Sequence, residues 1–151
     1  MYGLIPRFLT VFLLLLPLLV SGCSTYKALS PHLKNSAFEV GLSLGCARVL
    51  ANNPAEAKLI LKAVGPIIAA TDPDEIVTLH EFRHTLYARV AYDLFTPAEL
   101  AALRPLVEQI MAATDRVIET ETSWMTVDSV PFLDLLKAVQ TQAAIAAGAG
   151  G

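Results

Sequence analysis

His80-Glu81-Phe82-Arg83-His84 is the stretch whose residue types and spacing could do chemistry. Histidines four apart share one face of a helix, so both imidazoles can hold one zinc ion. The glutamate after the first is then placed to take a proton from a metal-bound water. That chemistry needs His80 and His84 as ligands, Glu81 as base, a third ligand and a partly dry cavity. No histidine follows His84, and the conceivable third donors are Glu99 and Glu108, 15 and 24 positions on.

Local spacing favours a structural role for the same residues. Thr78-Leu79-His80-Glu81 has the form of a capping box, in which Glu81 turns back to the backbone of Thr78. At about 100° per residue, Leu79, Phe82, Leu86 and Val90 set the buried direction. His80 and His84 then fall on its flank, Glu81 points away from the core, and Arg83 puts a cation between the histidines. The five residues resemble the metal helix of zincin-type metallopeptidases. That resemblance implies a zinc-dependent hydrolase with His80 and His84 as ligands and Glu81 as catalytic base. The residues themselves are read as non-catalytic, with no metal and no cofactor, and the zinc enzyme stands as the alternative.

Other constellations are bland. Ser36, Ser43, Ser123 and Ser129 have no evident histidine partner, and there is no G-x-S-x-G. Asp74/Glu75 and Glu119/Glu121 read as solvated helix ends. Tyr87, Arg89 and Tyr92, with Arg83 close by, are expected to cap the core with the tyrosine hydroxyls in water. Their alternative is an aromatic–basic contact patch.

The elements that must position these groups all read as helices. The first is expected from about Ala37 to Asn52, with Gly41 and Gly45 four apart to admit a close neighbour. Asn53-Pro54-Ala55-Glu56 opens a second as a capping box, ending near Ala70 with a kink at Pro66. The third starts at Thr78 and ends near Asp93. Thr96-Pro97-Ala98-Glu99 opens a fourth, which Pro105 should kink or split before Glu121. Thr122 to Val130 reads as a loop with Trp124 and Met125 against the core. A fifth helix spans about Pro131 to Ala146, and no strand is expected. The fold class is therefore all-α, a compact bundle of about five helices.

The chain carries 11 Lys and Arg against 14 Asp and Glu, a net charge of −3. That balance offers no electrostatic reason to bind nucleic acid, and no polybasic patch holds it to anionic lipid. There are two cysteines, Cys23 and Cys46. Cys46, in an apolar helical stretch, reads as a small buried hydrophobe.

The amino-terminal residues form an address. Arg7 precedes an apolar run from Phe8 to Val20, and Val20-Ser21-Gly22-Cys23 closes it. The run is short for a membrane span, which needs about 20 apolar residues. This order resembles a bacterial lipoprotein signal, cut before a cysteine that becomes lipidated. The resemblance implies a signal peptide at 1–22 and a lipidated Cys23 leading a tether over 23–36. The helical domain then occupies 37–147 and a tail 148–151. It also implies membrane attachment through the lipid. Ser24, where aspartate marks inner-membrane retention in Gram-negative lipoproteins, implies the outer membrane of the cell envelope, facing the periplasm. The expected role is a non-catalytic binding or scaffolding module for an envelope protein partner. The Ala-rich layout of capped helices is also similar to small helical prophage proteins, some of them lipoproteins that exclude other phages.

Overall fold

A computed structural model describes residues 36–122 and 129–148. The lipobox, Cys23, the tether up to residue 35, Trp124, Met125 and residues 149–151 lie outside the described residues. The chain forms α1 (Ala37–Leu50), α2 (Pro54–Ala70), β1 (Ile76–Val77) and α3 (Leu79–Arg89). A short 3-10 turn (Tyr92–Leu94) leads to α4 (Pro97–Glu121), β2 (Val130–Pro131) and α5 (Phe132–Gly148). Among the described residues the architecture is the expected all-α bundle of five helices.

α1 is the central element. Phe38, Leu42, Cys46 and Leu50 are fully buried along one side, and Gly41, Ser43 and Gly45 are buried on another. A helix that is apolar almost all round must be enclosed, and α1 packs against both α4 and α5, with α2 lying on α5. The α1–α4 approach is set by the two glycines. A Cβ on Gly41 would sit 2.7 Å from Ile118 Cγ1. A Cβ on Gly45 would sit 2.8 Å from the backbone nitrogen of Thr114 and 3.1 Å from the carbonyl of Ile110. Thr114 tolerates this burial because its hydroxyl donates to Ile110 O within its own helix, at 2.8 Å. Cys46 is sealed in the same core, and burial pushes its thiol up to about 12. One buried group was not expected from the sequence: Glu39, only 1% exposed.

Several helix boundaries differ from expectation. Asn53 precedes Pro54 as foreseen, but its side chain makes no capping bond. Its φ of −131° and ψ of 72° lie outside the extended conformation that aims a cap at the next turn. α2 and α4 each run unbroken through Pro66 and Pro105, so Pro105 does not split α4. Both prolines are exposed, as are Lys62 and Ala101 four residues before them. The prolines thus lie on the solvent side of their helices, where water can serve the carbonyls that lose a helical donor.

α3 stops at Arg89, not near Asp93. Val90 leaves the helix at φ −61° and ψ 126°, and the departure lets both Val90 and Phe95 reach the core. Two short strands also appear where none was expected. Ile76 pairs with Pro131 and Val77 with Val130, antiparallel, and Phe132 N donates to Glu75 O at 2.7 Å. This clip ties the start of α3 to the start of α5. Phe82, from α3, completes the junction, its ring meeting Phe38 at 5.6 Å and Phe132 at 5.7 Å, both edge-on. Such pairs add to the burial of the rings themselves.

Candidate functional site

α3 carries the candidate motif, and its geometry is decided at its first turn. Thr78 Oγ1 accepts from Glu81 N at 3.3 Å, while Thr78 N donates to Glu81 Oε2 at 2.9 Å. The Thr78 hydroxyl donates to the same carboxylate oxygen at 2.9 Å. The capping box is complete. Bonds from Thr78, backbone first and hydroxyl second, hold the Glu81 carboxyl below the usual carboxylate range. A general base works best with a pKa near the working pH, and these bonds move Glu81 the wrong way.

His80 and His84 are both exposed, on the flank of α3 as the helical wheel places them. They do not share a cavity. His80 borders a shallow hollow of about 330 Å³ with Leu79, Arg83, Met111 and Asp115, and His84 does not line it. The conceivable third donors are engaged elsewhere. Glu99 closes the capping box of α4 on Thr96 and receives Lys62 Nζ at 2.8 Å. Glu108 receives Arg83 at 3.2 Å. Among the described residues no group of three His, Cys, Asp or Glu side chains converges on one point. The donor set of the motif does not fit a zinc site, since a zinc enzyme needs three protein ligands around an open position.

The aromatic–basic group is divided between α3, which carries Arg83, Tyr87 and Arg89, and the 3-10 turn, which carries Tyr92. Arg83 turns to Glu108, and Arg89 turns to Glu75 at 2.7 Å and over the Phe132 ring at 5.3 Å. The tyrosine hydroxyls also bond to the protein. The single Tyr87 proton is shared between Glu108 Oε1 at 3.1 Å and the Arg104 carbonyl at 3.2 Å. Tyr92 donates to the Tyr87 carbonyl at 2.9 Å. Burial, with the Glu108 carboxylate beside it, pushes the Tyr87 phenol up to about 12.

The two rings instead wall a hollow of about 320 Å³ with Leu100, Leu103 and Arg104. The contribution of α4 to this hollow was missed from sequence. Its signal was there: positions 100, 103 and 104 stand three and four apart and share a helix face. Ser36, Ser43 and Ser129 line neither hollow, and Ser123 lies outside the described residues.

No protein-family model, curated protein or solved structure matches this chain.

Proposed function

We propose that this protein is a lipid-anchored, non-catalytic helical module of the bacterial envelope that binds or spaces an envelope protein partner. The observation that carries the reading is the order Arg7, apolar run, Val20-Ser21-Gly22-Cys23. Cys23 is the lipid attachment point, and Ser24 directs the anchor to the outer membrane on its periplasmic side. The membrane holds the protein through acyl chains, each buried methylene contributing about 0.8 kcal/mol. The domain's acidic balance adds no attraction to anionic lipid. Support for a non-catalytic role comes from the employment of the one catalytic-looking motif. Glu81 is a helix cap, and Glu99 and Glu108 neutralise cations.

The test is the mass of the chain extracted from membranes. A product starting at residue 23 and carrying acyl groups is expected, and Cys23→Ser should abolish both processing and membrane retention. An unacylated, freely soluble chain with its leader attached would overturn the reading. Stoichiometric zinc in the purified chain, lost in His84→Ala, would overturn the non-catalytic part.

A further inference from the structure

We infer that the hollow between α3 and the first turns of α4 binds the free carboxyl terminus of a partner polypeptide whose last residue is apolar. This rests on the binding role proposed above and gives that role an address.

Three surface hollows each contain one guanidinium, and they differ in what that guanidinium already does. In the hollow beside His80, Arg83 is paired with Glu108. In the hollow under Pro66, Arg89 is paired with Glu75. In the hollow walled by Tyr87 and Tyr92, Arg104 makes no ion pair among the described residues. A guanidinium is a planar fork matched to one carboxylate through two parallel bonds.

The rest of the lining selects what accompanies that carboxylate. Leu103, 3% exposed, forms the floor, and Leu100 is half-buried beside it. The Tyr87 and Tyr92 hydroxyls are bonded to the protein, which favours the ring positions that wall the hollow. Walls favoured in advance spare a ligand part of the cost of ordering them.

Charge and size narrow the class. The hollow, about 320 Å³, stands at the lower end of ligand sites, which run from about 300 to 1,000 Å³. It admits one or two residues. Arg104, its unpaired cation among the described residues, suits a single carboxylate. A polyanion would meet Glu108 at the back of Tyr87 and a chain that is acidic overall.

The full chain, extracted from envelopes and placed in nanodiscs of neutral lipid, is titrated with N-acetyl-Ala-Ala-Ala-Leu and followed by NMR of its leucine methyls. Saturable shifts at Leu100 and Leu103 are expected. Binding should weaken about tenfold or more when the peptide ends in an amide, and equally in Arg104→Gln. Arg116→Gln, which removes another exposed arginine of α4, should leave binding unchanged. No saturation, equal binding of the amide, or undiminished binding by Arg104→Gln overturns the inference. So does N-acetyl-leucine binding as tightly as the peptide, which would make this a small-acid site. The mass of the same preparation reads the anchor separately. Acylated chain without peptide binding sinks this inference and leaves the anchor standing.

Discussion

α4 meets the rest of the bundle in two ways. Against α1 it comes backbone to backbone, at Gly41 and Gly45, with Thr114 and Ile118 filling the space a side chain would need. Against α3 it is held at arm's length by long polar side chains, the Tyr87 hydroxyl and the Arg83–Glu108 pair. The first seam leaves no room, and its energy is dispersion between closely packed atoms. The second encloses a hollow, and its straps are hydrogen bonds and an exposed ion pair of small net worth. Close packing and an open hollow thus lie on two sides of one helix.

The comparison can be broken by substitution. The largest effect is expected at Phe82, the apolar anchor that α3 drives between Phe38 and Phe132. Phe82→Ala should cost about 3–5 kcal/mol in chemical denaturation. A cost near that of a surface change would mean that α3 is held by its straps after all.

Gly45→Ala comes next. Alanine favours a helix over glycine by about 1 kcal/mol, but its methyl meets backbone on α4. Overpacking of about 1–3 kcal/mol should win, giving a lower melting temperature. A stabilised variant would show that the seam is looser than described.

Tyr87→Phe keeps the ring and removes the strap, so about 1 kcal/mol is expected. Arg83→Ala, whose pair is half exposed, should cost under about 1 kcal/mol. If either exceeds Gly45→Ala, the ranking of the two seams is inverted.

The smallest effect is one of pH. Lys62 first, and the capping bonds of Thr96 next, hold the Glu99 carboxyl down from 4.5 to about 2. A depressed carboxyl stabilises the fold above its unfolded value and loses that contribution as pH falls through its folded value. Melting temperature should therefore decline between about pH 4.5 and pH 2, and Glu99→Gln should flatten part of that decline.

How much of this was legible in the sequence varies with the physics involved. The boxes at Thr78 and Thr96 were legible because capping is local, written in four consecutive residues. So was the buried face of α3, through the spacing of Phe82, Leu86 and Val90. The box at Asn53 was not, because residue types do not reveal the φ and ψ that aim a cap. The β1–β2 clip escaped because two residues are too few to show alternation, and its partners are 53 positions apart at Val77 and Val130. The end of α3 escaped because no glycine or proline marks it; burial of Val90 and Phe95 decides it instead.

Of the candidate site, the employment of Glu81 was visible in its capping box, and the pairing of Glu99 with Lys62 and of Glu108 with Arg83 was not. The hollow at Arg104 depends on α3 and α4 meeting, which no short window of sequence records.

The burial of α1 from its first turn has a mechanical consequence. Ala37 and Phe38 are fully enclosed, so a tug arriving from residue 36 loads the middle of the bundle rather than an outer helix. An outer helix would unzip one turn at a time; this one would have to be drawn out past its neighbours, against Phe82 and the glycine seam together. The domain would thereby resist most strongly a pull that arrives through its first helix.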